Sequence, residues 1–176
     1  MSELLRLAEL VKEKNEVELG ISSIIGRPAL IGHTGEYIAS EIFNIRLVDS
    51  ASNKGFDGYF TKGMLTGKSV NVKWYTKREC FLDINPLGLP DFYLVMTGPH
   101  RNATSSRGTT LPWKISNVYL FNSIWLIDHL NQRKIKVGIA TSVHSKLWED
   151  AEVFPQNENR DLILTKEQHD NLLLFG

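Results

Sequence analysis

Two side chains stand out for the chemistry they could do together. Asp57 opens a short strand candidate in Gly55-Phe56-Asp57-Gly58-Tyr59-Phe60, and Lys73 lies inside the next, Lys68-Ser69-Val70-Asn71-Val72-Lys73-Trp74-Tyr75. A carboxylate and a lysine on neighbouring strands are what metal-assisted cleavage of a phosphodiester requires. The carboxylate holds a divalent cation, and the lysine orients the attacking water or steadies charge on the phosphate. The same spacing also fits an ordinary hairpin carrying a solvated ion pair. These residues alone leave both readings open.

The elements that must position the pair follow from periodicity. Strand side chains alternate, so Val70, Val72 and Trp74 point one way while Asn71 and Lys73 share the other face. A simple mirror about the turn marked by Gly63 and Gly67 pairs Asp57 with Val72, and the sequence does not fix that register. Upstream, Thr34 is the expected N-cap of a helix reaching about Asn44, with Ile38, Ala39, Ile42 and Ile45 inward and Glu36 and Glu41 on the flanks. Glu36 there serves either the site or simply the positive end of the helix dipole. Residues 2–19 read as an amphipathic helix with Leu4, Leu7, Leu10 and Val11 on one side. Residues 21–30 read as a turn or short helix broken by Gly26 and Pro28. Strands are expected at 45–48, 91–96, 113–115, 118–121 and 137–140. Ser123 is expected to cap a helix to about Arg133, with Ile124, Ile127 and Leu130 inward. Residues 145–151 read as a helical turn, and Thr165 caps a last helix bearing Leu172 and Leu173. Residues 98–110 form a long loop containing Arg101 and Arg107. Strands interleaved with helices give an α/β class with a mixed sheet.

At 176 residues the chain suits one domain with a sizeable core. Twenty basic and twenty acidic residues cancel, which counts mildly against a general nucleic-acid binder. The distribution is uneven: Lys54, Lys62, Lys68, Lys73, Lys77 and Arg78 surround one acid, Asp57, a pattern that suits a phosphate-rich ligand or a merely solvated hairpin face. A single cysteine, Cys80, excludes an internal disulfide and a multi-cysteine zinc site. The N-terminus does not read as a signal sequence, and no apolar run reaches the ~20 residues that span a bilayer. The expected compartment is the cytoplasm, with no membrane partner. No nucleotide-binding glycine loop or nucleophile elbow is present. Trp113, Trp125 and Trp148 are core residues or stacking platforms for bases.

In order and type, Glu36, Asp57 and Asn71-Val72-Lys73 resemble the PD-(D/E)xK nucleases, the superfamily of restriction endonucleases and Holliday-junction resolvases. Gly35–Phe43 resembles its glutamate-bearing helix, Gly55–Gly58 its Asp motif and Val70–Lys73 its lysine motif. Asn71 departs from the pattern, standing where the family has an acid or glutamine. The resemblance implies a restriction-endonuclease-like fold, a mixed sheet flanked by helices on both faces. It implies a core over 33–143, an N-terminal helical segment over 1–32 and a C-terminal helical extension over 144–176. It further implies a metal-dependent DNA endonuclease with Asp57, Asn71, Lys73 and Glu36 as catalytic residues. Mg²⁺ (or Mn²⁺) would be held by Asp57, Asn71, Glu36 and the Val72 carbonyl. Lys54, Lys62, Lys68, Lys77, Arg78, Arg101 and Arg107 would contact DNA, and a homodimer would bring two active sites to a duplex. Two other expectations stand beside this one: a domain of the same fold that lost activity and binds nucleic acid or a protein partner, which Asn71 favours, and an unrelated α/β enzyme or ligand binder.

Overall fold

A computed structural model describes residues 2–49, 55–100 and 110–176. Its centre is a strand in which period-2 alternation is strict. β3 (Ser69–Tyr75) buries Val70, Val72 and Trp74 and leaves the residues between them half-buried. Before it come β1 (Ile45–Leu47) and β2 (Gly58–Phe60); after it come the short β4 (Phe81–Leu82), then β5 (Phe92–Thr97), β6 (Asn117–Asn122), the short β7 (Thr141–Ser142) and β8 (Glu152–Phe154). The main sheet has the order β1-β2-β3-β5-β6-β8, and β4 pairs with β7 apart from it. β3 and β5 run parallel; the other neighbours are antiparallel. The sheet is therefore mixed. All six residues of β5 are buried, as expected for a central strand covered on both faces.

The helices divide between those faces. α1 (Glu3–Ile25) and α2 (Ile31–Phe43) precede the sheet. α3 (Ser123–Gln132), α4 (Ser145–Ala151) and α5 (Lys166–Leu173) come later. On one face Ile38, Ala39 and Ile42 of α2 and Leu172 of α5 pack with Val70, Val72, Trp74 and Leu94. On the other, Leu126 and Leu130 of α3 and Leu147 and Trp148 of α4 pack with Tyr93, Val95, Tyr119 and Phe121. Trp148 is 1% exposed and meets the Tyr119 and Phe121 rings edge-on at 4.8 and 5.0 Å, so it is core and not a base platform. Trp148→Ala is expected to destabilise the fold by about 3–5 kcal/mol, read as a lower urea midpoint at unchanged m-value.

Several boundaries differ from the sequence expectation, each for a local reason. α1 runs on to Ile25 and is ended by Gly26, at φ 68°, a left-handed cap followed by Pro28. α2 starts at Ile31, so Thr34 lies within its first turn and does not cap it; the Thr34 hydroxyl has no hydrogen-bond partner among the described residues. Ile45 belongs to β1, not α2. The side chain of Asn122, not Ser123, caps α3 by accepting from the Trp125 N–H. Buried Ser123, Leu126 and Leu130 set its inward face, and Ile124 is 72% exposed. Residues 113–115 and 137–140 form no strand. In the latter, the Thr141 hydroxyl oxygen accepts from the Gly138 N–H and donates to the Gly138 carbonyl, closing a turn. Segment 144–176 supplies β8 to the sheet as well as two helices. Thr165 caps α5 in a reciprocal capping box with Gln168.

Candidate active site

Asp57 sits just before β2, and backbone bonds fix it from both sides. Its N–H donates to the Val70 carbonyl at 2.8 Å, and its carbonyl accepts from the Val48 N–H at 2.9 Å. The glycines around it are required by close approach. Gly55 has φ 124°, and a Cβ there would lie 2.0 Å from the Gly88 carbonyl oxygen; a Cβ on Gly58 would lie 2.5 Å from that of Arg46. The register pairs Gly58 with Val70 and Tyr59 with Ser69, one residue away from the mirror expectation. Past Val70 the pairing of β2 with β3 ends. There the Asp57 side chain takes over the role of a ladder carbonyl, its Oδ2 accepting from the Val72 N–H at 2.7 Å. The N–H and C=O of one strand residue face the same neighbour, so the Val72 carbonyl is directed toward the Asp57 side of β3.

Around this carboxylate stand three more charges. Glu36, on α2, is ion-paired through Oε2 with Arg27 from the α1–α2 connection. Burial raises the Asp57 pKa above its ordinary 3.8 against the pull of the Val72 N–H; Glu36 raises it further, and Lys73 and Arg27 lower it. Glu36, Lys73 and Arg27 therefore all lie within electrostatic reach of Asp57. Among the described residues Lys73 makes no ion pair, and it is half-buried. Arg27 escaped the sequence analysis. Its only signal is a basic residue between a helix-ending glycine and a proline.

Asn71 shares the Lys73 face of β3 and pairs in register with Tyr93 on β5. Its Oδ1 is buried without a hydrogen-bond partner among the described residues, as is the Tyr93 hydroxyl. Burial pushes the Tyr93 pKa up to about 12. The expected ligands, two carboxylates, the Val72 carbonyl and the Asn71 amide, would all offer oxygen, with Asn71 on the Tyr93 face of β3 and α2, which bears Glu36, packed on the other. That chemistry fits Mg²⁺ or Mn²⁺ and not zinc or copper. Among the described residues no three His, Cys, Asp or Glu side chains cluster, so a metal there would need amide or main-chain oxygens as well as acids.

Among the described residues, the expected DNA contacts divide between the two ends of β3. Lys62 and Lys68 stand at the β2–β3 turn, and Lys77 and Arg78 follow the far end of β3. Lys68 is paired with Asp91 at 3.2 Å and Lys77 with Glu79 at 2.8 Å. The Arg78 guanidinium lies 5.9 Å from the Tyr119 ring centre. Partial burial raises the Asp91 pKa, but hydrogen bonds from the Ser69 backbone and hydroxyl and from Lys68 outweigh it and hold Asp91 below the usual carboxylate range. Lys54, Arg101, Arg107 and most of the 98–110 loop lie outside the described residues.

The fold defines an α/β protein with a mixed six-stranded sheet, in which Asp57 lies beside the point where two strands part, within electrostatic reach of Glu36, Lys73 and Arg27. No protein-family model matches the chain, and no curated protein matches it. Among the described residues no helix is long and apolar enough to cross a membrane.

Proposed function

We propose that this chain is a metal-dependent DNA endonuclease of the restriction-endonuclease-like type, hydrolysing phosphodiester bonds. The observation that carries the reading is the Asp57 carboxylate held on the Val72 N–H, with Glu36 and Lys73 both acting on it. A glutamate helix, then β1, β2 led by Asp57, and antiparallel β3 with Lys73 is also the order that the superfamily resemblance implies. Asp57, Glu36, the Val72 carbonyl and Asn71 would hold Mg²⁺ or Mn²⁺. When bound, that ion supplies charge neutralisation at the scissile phosphate and lowers the pKa of a water. Lys73 orients the water or stabilises charge on the phosphate. Arg27 positions Glu36.

Without metal, the site holds two acids and two bases. Asp57 and Glu36 are balanced by Lys73 and Arg27, so a bound dication leaves the cluster positive and suited to a phosphodiester anion. Asn71 brings an oxygen without a charge. Asn71→Asp is expected to tighten Mg²⁺ binding by roughly tenfold, about 1.4 kcal/mol, in calorimetric titrations at mildly alkaline pH. Equal affinity in both proteins would remove Asn71 from the ligand set.

The uncharged Asn71 and the neutralised Lys68 and Lys77 favour a second reading, a scaffold of this fold that binds nucleic acid or a protein partner without cutting. Incubating the purified chain with Mg²⁺ or Mn²⁺ and duplex, branched or single-stranded DNA separates the two. Nicking or cutting lost in Asp57→Ala is the expected result. Inert wild-type protein on every substrate overturns the nuclease reading.

A further inference from the structure

We infer that α1 is an interface with a second copy of this chain, the two helices lying antiparallel along residues 3–14. This stands independently of the nuclease reading. α1 has 23 residues and buries none of them, although it extends for about 34 Å. Its approach to the rest of the chain is at the C-terminal half, where Asn15, Glu18, Leu19 and Ser22 line a cleft with Pro28, Ala29 and Leu30. The N-terminal half presents Leu4, Leu7, Leu10 and Val11, each between 43% and 76% exposed. Single exposed leucines are ordinary, but four on one helical stripe form a contiguous apolar face.

Charges within and beside that stripe select the occupant. Glu3, Leu7, Leu10 and Lys14 follow one another at the four-three-four spacing of a coiled-coil seam. A parallel second copy would set Glu3 on Glu3 and Lys14 on Lys14 inside the seam, which like charges oppose. An antiparallel copy with Leu7 layered on Leu10 sets Glu3 on Lys14 at both ends. The same register brings Arg6 to Glu13 on one flank and Leu4 to Val11 on the other. Every charge in or beside this stretch of seam then meets its opposite. Among the described residues of the single chain these side chains make only exposed intrahelical pairs, Arg6 with Glu9 and Glu13 and Lys14 with Glu18. Such pairs are weak and readily exchanged. An apolar ligand or a lipid surface would gain nothing from this alternation of sign.

Sedimentation equilibrium of the full chain across the micromolar range tests the proposal. Wild type is expected at twice the monomer mass. Leu7→Glu with Leu10→Glu is expected as a monomer of unchanged circular dichroism, because α1 contributes no core residue. Lys14→Glu alone should weaken association at least about tenfold, and adding Glu3→Lys should restore it. A wild-type monomer at every concentration overturns the proposal, including one that cosediments with anionic vesicles. So does a dimer indifferent to the leucine substitutions, or a double charge reversal no better than Lys14→Glu.

Discussion

Lys73→Ala is expected to lower DNA cleavage by about 10²–10³-fold, the usual loss when a preorganised charge aimed at the transition state is removed. The loss should fall on kcat, with DNA affinity and Mg²⁺ affinity nearly unchanged, because Lys73 is not in the oxygen ligand set. The fold should survive. Lys73 is half-buried and pairs with no acid among the described residues, while its neighbours Val72 and Trp74 carry the packing of β3. Single-turnover rates at saturating metal, with a melting curve beside them, make the measurement. A lysine on a solvated hairpin face would tolerate alanine, and cleavage within twofold of wild type would assign Lys73 to that role.

The parts of this molecule that were legible in the sequence are those set by local periodicity and capping chemistry. The alternation of Val70, Val72 and Trp74 with Asn71 and Lys73 is a backbone property, and β3 carries it without interruption. Thr165 followed by Gln168 is a capping box that needs no tertiary partner. That Asn71 and Lys73 share a face of β3 was also readable, since alternation alone implies it. What depended on distant partners was not. The β2–β3 register rests on how the turn closes: a short 3₁₀ turn at Gly63–Leu65, then Gly67 at φ 82°. The resulting one-residue offset replaces a main-chain pairing of Asp57 and Val72 with a bond from the Val72 N–H to the Asp57 side chain. That exchange is what leaves a carboxylate at the parting of the strands.

The charges show the same division. Counting Lys68, Lys77 and Arg78 along the chain indicates a basic stretch, yet Asp91 and Glu79 neutralise the lysines and the guanidinium is stacked on Tyr119. Asp91 and Glu79 were in the sequence, but nothing local joins Asp91 to Lys68 across the parallel pairing of β3 and β5. Arg27 is the converse case, a residue of an apparently irregular connection that pairs with Glu36 because Gly26 turns the chain back toward α2. On α3, Leu130 and Ile127 face the core as expected and only Ile124 does not. Packing of Leu126 and Leu130 against the sheet fixes the inward face, which leaves Ile124 in solvent.

Asp57→Asn is expected to abolish activity while making the metal-free protein more stable near neutral pH. Burial raises the Asp57 pKa above 3.8 more than the Val72 N–H lowers it, and Glu36 adds to the rise. The folded state thus binds this proton more tightly than the unfolded state does. The associated stability is fully present below the unfolded pKa and is lost as pH rises through the folded pKa. At neutral pH the ionised carboxylate is a net burden on the fold. Asparagine keeps an oxygen to accept from the Val72 N–H and removes the charge, so the melting temperature should rise at pH 7 and match wild type well below pH 3.8. Each kcal/mol gained corresponds to about 2–4 °C for a chain of this size. Metal reverses the ranking. At a hundredfold excess over its dissociation constant Mg²⁺ should stabilise wild type by about 2.7 kcal/mol, and the variant should respond little. Cleavage should fall by at least the ~10–100-fold that losing even an outer partner of a metal ligand causes. If Asp57→Asn is instead less stable than wild type at pH 7 and equally responsive to Mg²⁺, Asp57 is a structural acceptor for the Val72 N–H. A carboxylate kept at a cost to stability, and repaid only by a cation, is what separates a working site from a hairpin ion pair.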